Sequence, residues 1–183
     1  MLIRRETPED VAAIQAVTHA AFAGPDGPGG AHTVHEDVPA EVALVEELRT
    51  SDAWLPQLSL VALTPTGTVI GHVLGSRGRV DSAVDSTPAI AVGPLSVHPD
   101  HQRTGVGSAL MHTLLGAADA MDEPLVALLG EQGYYARFGF RAAAEFGVKP
   151  PVPQWREHFL VRALAGYVPA RRGTFLYPRA FRG

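Results

Sequence analysis

A chain of 183 residues fits one domain and is long enough to bury a full core. Its 46% hydrophobic and 19% charged residues exclude a disordered or fibrous class, and a formal net charge of −4 leaves no general basic field for a nucleic-acid backbone. The absence of cysteine excludes disulfides, thiolate metal sites and any acyl transfer that passes through a cysteinyl intermediate.

Leu2 to Glu6 alternates apolar and charged residues as a half-buried strand does. Thr7-Pro8-Glu9-Asp10 then supplies an N-cap, a first-turn proline and first-turn acids for a helix from Pro8 to Phe22. The glycines and prolines that follow cannot continue it, and residues 24–37 read as a flexible surface loop. Pro39 to Arg49 carries Val42, Val45 and Leu48 on one side and reads as a second helix. Two strands, Leu58 to Thr64 and Thr68 to Ser76, flank the hairpin signal Pro65-Thr66-Gly67. Val80 to Thr87 reads as a loop, and Pro88 to Val97 as a strand that Gly93-Pro94 interrupts with an edge or bulge. A helix from Gly105 to Met121, a buried strand from Leu125 to Leu129 and a short helix from Glu131 to Phe138 come next. His158 to Leu164 and Gly173 to Tyr177 read as a closing strand pair. The sum is an α/β (α+β) domain over residues 1–183, with a mixed sheet. The amino-terminal residues lack the apolar stretch of a secretion signal and no segment approaches a membrane span, so a cytoplasmic protein with no membrane partner is expected.

The most informative segment is the turn from Gln102 to Gly107 between a strand and a helix. Gly105 and Gly107 remove side chains where backbone N–H groups lack intrahelical acceptors, at the positive end of a helix dipole. That chemistry suits a pyrophosphate. A dinucleotide-binding GxGxxG turn is disfavoured because Leu110 stands where its third glycine would allow close helix packing, and the loop from His98 to Thr104 is too long. No lysine follows either glycine, which removes a Walker loop.

Gln102-Arg103-Thr104-Gly105-Val106-Gly107, preceded by Val97-His98-Pro99, resembles the Q/R-x-x-G-x-G/A signature of the GCN5-related N-acetyltransferases (GNAT). Tyr134-Tyr135-Ala136-Arg137-Phe138-Gly139-Phe140 is similar to the YhbS-like branch of that family, and Gly173 to Pro178 to the end of its chains. The resemblance implies a mixed, mostly antiparallel sheet splayed at a bulged fourth strand and flanked by helices. It implies acetyl-CoA as cosubstrate, with its pyrophosphate on the main chain of Gln102, Arg103, Thr104, Gly105, Val106 and Gly107 beside Ser108. Its pantetheine arm is expected along Leu95, Ser96 and Val97. Direct transfer to a primary amine, in a ternary complex, then makes the Leu95 N–H the oxyanion donor and Tyr135 the general acid. The other reading of Tyr134, Tyr135, Phe138 and Phe140 is an aromatic core plug.

A base for the amine is left open among Glu46, Glu47, His72, Glu131 and water; each residue also has a structural explanation. His32, His35, His98, His101 and His112 do not make a metal site, because glycine-rich and turn segments fix no ligand geometry. Trp54, Trp155 and Phe159 are candidates for an apolar acceptor pocket or for ordinary core. The expected acceptor is a small-molecule amine; a homodimer is common in the family, and the residues themselves leave the assembly open. The alternative function is an acyl-CoA-binding sensor that has lost catalysis.

Overall fold

The capping residues Thr7 and Asp10 organise the start of the chain in the computed structural model, which describes residues 1–23, 39–169 and 172–182. Strand β1 (Leu2–Arg5) leads into a 3-10 turn, Pro8–Asp10, and helix α1 (Val11–Phe22). Asp10 is buried, accepts from the Thr7 N–H at 2.8 Å, and takes both arms of the Arg4 guanidinium at 2.6 and 3.0 Å. The loop expected at 24–37, with His32 and His35, lies outside the described residues. Helix α2 (Ala40–Arg49), β2 (Trp54–Leu63), β3 (Val69–Asp81), β4 (Ser86–Val97), α3 (Val106–Ala120) and β5 (Leu125–Leu129) follow. After them come α4 (Gln132–Tyr135), β6 (Arg141–Ala142), β7 (Val148–Lys149), β8 (Phe159–Ala163) and β9 (Gly173–Leu176).

The described residues group into two compact units, Met1–Leu74 with Gly93–Leu114 and Gly75–Val92 with Leu115–Gly183; β3, β4 and α3 run through both. In the first unit β1 pairs antiparallel with β2, Leu2 opposite Leu63 and Arg5 opposite Leu60. Ile14 and Val17 of α1 and Val45 and Leu48 of α2 are buried together with Leu58, Val61 and Val73. Gly71 of β3 is the point of closest approach to α3: a Cβ there would lie 3.0 Å from Leu110 Cδ1 and 3.0 Å from Val106 Cγ1. The missing side chain that lets helix and strand meet is therefore on the strand, which is why Leu110 is accommodated on the helix.

In the second unit β4 and β5 run parallel, with Ile90 opposite Val126 and Ala91 opposite Ala127. β8 pairs antiparallel with β5 and with β6. β9 pairs antiparallel with β3 and parallel with β7. β8 and β9 are thus not partners of one another, contrary to the expectation of a closing pair, because each finds its neighbour far away in sequence. The expected loop at Val80 to Thr87 is also corrected. Only Ser82 to Asp85 turns, closed by the Ser82 N–H on the Asp85 carbonyl at 2.9 Å, while Ser86 Oγ donates to Asp81 Oδ1 at 2.6 Å and extends the pairing. The core of this unit holds Phe159, Val161 and Phe175 with small partners Ala89, Ala91 and Ala127, and burying each phenylalanine is worth about 2–3 kcal/mol. Arg77 and buried Glu123 form a two-armed ion pair at 2.6 and 2.5 Å.

Candidate functional site

Strand β4 is disturbed where the sequence placed a bulge. The Gly93–Pro94 peptide is cis, Gly93 has φ +154°, and Pro94 has no N–H to give to a neighbour. The β4–β5 ladder lies ahead of this point, at Ile90 and Ala91. Beyond it Leu95 and Val97 are half-buried, while the Ser96 hydroxyl points inward and donates to Thr18 Oγ1 at 3.2 Å. Ser96 can therefore offer a ligand its main chain and not its side chain.

His98 caps a 3-10 turn, Pro99–His101, its Nδ1 accepting from the Asp100 N–H at 3.3 Å. Gln102 Nε2 reaches back to the Val97 carbonyl at 3.2 Å, and Thr104 Oγ1 donates to the His101 carbonyl at 2.6 Å. The side chains of His98, Gln102 and Thr104 are thus engaged in holding the turn. Arg103 has φ +60° and Gly105 φ +93°, with nothing within 4 Å of where a Gly105 Cβ would stand. The first bond of α3 runs from the Ala109 N–H to the Gly105 carbonyl at 3.0 Å. By helix geometry the N–H groups of Val106, Gly107 and Ser108 then have no acceptor within the helix, and they point toward the exposed turn at its positive end.

In the second unit, Tyr135 ends α4. A Cβ on Gly130 would fall 2.2 Å from Tyr135 Cε2, so the ring lies directly against the Gly130 backbone. Tyr134 and Phe140 meet the ring edge-on at centroid distances of 4.9 and 5.8 Å, and Phe138 lies tilted at 6.2 Å. Gly139, at φ +82°, turns the chain so that Phe138 and Phe140 both enter the core. The aromatic plug is real, and it fixes the Tyr135 ring. Burial, with a smaller push from Tyr134, raises the Tyr135 hydroxyl to about 12, so it holds its proton throughout the neutral range.

The candidates for a base differ sharply in environment. Glu46 binds Arg49 Nη1 at 2.5 Å and Gln15 at 3.2 Å, Glu47 is exposed, and Glu131 is exposed with His158 Nδ1 at 3.5 Å. His72 is fully buried, with Nε2 2.9 Å from Ser59 Oγ and 3.4 Å from Glu6 Oε2. Glu6, Ser59 and Arg49 escaped the sequence reading, because only strand order brings Glu6 and Ser59 to His72, and Arg49 of α2 joins them through its ion pair with Glu6. His98 and His101 meet edge-on at 6.1 Å, and among the described residues no three His, Asp or Glu side chains converge as metal ligands. The three aromatics suggested for a pocket do not share one role: Trp54 lies under Arg49, Phe159 is core, and Trp155 lines a cavity of about 320 Å³ with Val152, Leu176, Tyr177 and Phe181. Among the described residues no helix is long and apolar enough to cross a membrane.

A family model described as "Acetyltransferase (GNAT) domain" matches residues 2–143. The chain belongs to the GNAT acetyltransferase family. This makes it an N-acetyltransferase by family, of the acyl-transferring class. The uncharacterized N-acetyltransferase YhbS of Escherichia coli K12 is 31% identical over 165 residues, 90% of this chain and 88% of that protein. The match to E. coli YjhQ, 34% identical over 119 residues, spans 64% of this chain and 65% of that protein. The crystal structure of E. coli YhbS in complex with CoA superposes with a TM-score of 0.83 at 28% identity, covering 100% of this chain and 92% of that one. A GNAT acetyltransferase from Brucella melitensis in complex with acetyl-CoA gives 0.75 at 32% identity, covering 98% and 97%. The α/β fold, with its mixed and mostly antiparallel sheet flanked by four helices, is the GNAT fold.

Proposed function

We propose that this GNAT protein transfers an acetyl group from acetyl-CoA directly to a primary amine of a small molecule, in a ternary complex and without a covalent enzyme intermediate. The observation that carries the reading is the turn at Gly105, at the head of α3, where nothing lies within 4 Å of the place a Cβ would take. Relatives similar over nearly their whole length were crystallised with CoA and with acetyl-CoA, which supports the same ligand here. The pyrophosphate is assigned to the main chain from Gln102 to Gly107 with Ser108 beside it. The pantetheine arm is assigned to Leu95, Ser96 and Val97, which follow Pro94, a residue with no N–H to give to a neighbouring strand.

Acetyl transfer needs a neutral amine, a stabilised tetrahedral oxyanion and a proton for the departing thiolate. The Leu95 N–H is the proposed oxyanion donor, a role worth about 3–4 kcal/mol where such donors have been removed. The Tyr135 hydroxyl is the proposed proton donor to the thiolate: it is protonated at neutral pH and its ring is held on three sides. The test is to mix the purified protein with acetyl-CoA and a panel of amines, follow free thiol, and repeat with Tyr135→Phe. Amine-dependent thiol release that falls about 100-fold in the variant is expected. Tight acetyl-CoA binding with no thiol release on any amine would instead favour a non-catalytic acyl-CoA-binding module.

A further inference from the structure

The interior of the first unit contains two hydrogen-bonded groups of buried polar side chains, Ser96 with Thr18 and Ser59 with His72 and Glu6. Thr18, Ser59, His72 and Ser96 are each fully buried, and the Glu6 side chain is 7% exposed. Glu6 and Ser59 are opposite one another, the Glu6 N–H donating to the Ser59 carbonyl at 3.0 Å, and the Ser59 hydroxyl donates to Glu6 Oε2. Arg49 of α2 closes the other side of the carboxylate, Nε to Oε1 at 2.9 Å and Nη2 to Oε2 at 3.3 Å. Burial pushes Glu6 upward, but hydrogen bonds from His72, Arg49 and Ser59 outweigh it and hold the carboxyl at about 2. It is ionised in neutral solution.

This arrangement fixes the tautomer of His72. Ser59 has one hydroxyl hydrogen and gives it to Glu6, so its 2.9 Å contact with His72 Nε2 requires the hydrogen on Nε2. Nδ1 is then a bare lone pair, and it is buried with no hydrogen-bond partner among the described residues. Burial keeps the ring neutral, opposed by Glu6; Arg49 and Asp10 are the other charged groups acting on it. The ring also sits beside the strand assigned to the coenzyme. The His98 N–H donates to the Ile70 carbonyl at 3.0 Å, and two residues along each strand the same antiparallel ladder sets His72 against Ser96.

We propose that His72 takes the proton of the acceptor amine on its buried Nδ1, relayed by water, with Glu6 as the positioning residue that orients and steadies its ring. The assignment rests on the acetyl-transfer reading above. The acceptor's ammonium group gives one proton to Nδ1, and its nitrogen forms the C–N bond to the thioester carbonyl carbon. The C–S bond breaks, the thiolate takes the Tyr135 proton, and the second amine proton restores Tyr135. The proton on His72 passes to solvent, so the products are an amide, a free thiol and one proton.

The experiment is a pH profile of kcat/KM for thiol release, with acetyl-CoA and an amine that the wild type accepts, for wild type, His72→Gln and Glu6→Gln. Glutamine at 72 can keep the hydrogen bond to Ser59 and lacks the Nδ1 lone pair. His72→Gln is expected to lose about 100-fold at pH 7 and to recover toward wild type above the pKa of the amine, with acetyl-CoA affinity unchanged. Removing the Glu6 charge makes the ring less basic, so the acid limb of Glu6→Gln moves about 1 unit to lower pH. Nitrogen-15 shifts of the wild-type ring should report hydrogen on Nε2 and none on Nδ1 at pH 7. A loss in His72→Gln that is equal at every pH, an unmoved acid limb in Glu6→Gln, or hydrogen on Nδ1 overturns the proposal. If His72→Gln does not fold, the Glu6→Gln profile and the wild-type ring shifts decide it. A wild type that releases no thiol with any amine overturns the acetyl-transfer reading itself, and this assignment with it.

Discussion

Replacing Gly130 by alanine would set a methyl carbon 2.2 Å from Tyr135 Cε2 and 2.7 Å from Cδ2. Carbon atoms pack at about 3.5–4.0 Å, so the ring must retreat by more than about 1 Å. It cannot do so freely, because Tyr134, Phe138 and Phe140 hold its other sides. Overpacking of this kind costs about 1–3 kcal/mol, and a misplacement of about 1 Å at a reacting group costs about 100-fold in rate. Gly130→Ala is therefore expected to lower Tm and to reduce kcat for thiol release about as much as Tyr135→Phe does. The double variant separates the two effects. A phenylalanine ring still meets the new methyl, so the fall in Tm persists in the Tyr135→Phe background, whereas kcat falls no further because the hydroxyl is already gone. An unchanged kcat in Gly130→Ala, or losses that multiply in the double variant, would refute the chain from Gly130 through the ring to the proton donor.

Gly105→Ala meets no neighbouring atom but must adopt φ +93°, so thermal unfolding should show a cost of about 1–2 kcal/mol, and calorimetry a weaker affinity for acetyl-CoA. Tyr177 is buried with no partner for its hydroxyl among the described residues; Tyr177→Phe should leave stability unchanged or raise it by about 1 kcal/mol in urea unfolding. Asp10, held down chiefly by Arg4, and Glu6 each ionise at about 2 in the folded chain, below their ordinary values. Their contribution is complete above about pH 4.5 and is lost as pH falls through 2, so urea midpoints should drop across that window and Asp10→Asn should flatten the drop.

The turn from Gln102 to Gly107 was legible because its signals are local: a proline-led turn, two glycines and a helix whose apolar face repeats along α3. β5 emerges with the limits read from its apolar run, Leu125–Leu129. What local sequence could not supply was partnership. β8 and β9 look like a hairpin in the chain, yet each lies against strands far away in sequence, and the short β6 and β7 carry too few residues to show a period. The same limit hid the surroundings of His72. That residue was a visible candidate, but the carboxylate and hydroxyl that set its tautomer belong to Glu6 and Ser59, and only the alignment of β1 on β2 and of β2 on β3 brings them to it. Val80 to Thr87 was misread as loop for a related reason: its polar residues bond across the strands, Ser86 to Asp81, instead of to water.

The pairing of β9 with β3 has a consequence for how the chain is made. Phe175 lies opposite Val80, and Gly173 packs so tightly on Asp81 that a Cβ would come within 2.1 Å of its carbonyl oxygen. Roughly a hundred residues separate these partners, so β3 leaves the ribosome well before the strand that covers it. Long-range pairings of this sort close late. Until then, the newborn chain presents an open strand edge to its neighbours, and the time spent in that state sets its exposure to chaperones and to aggregation.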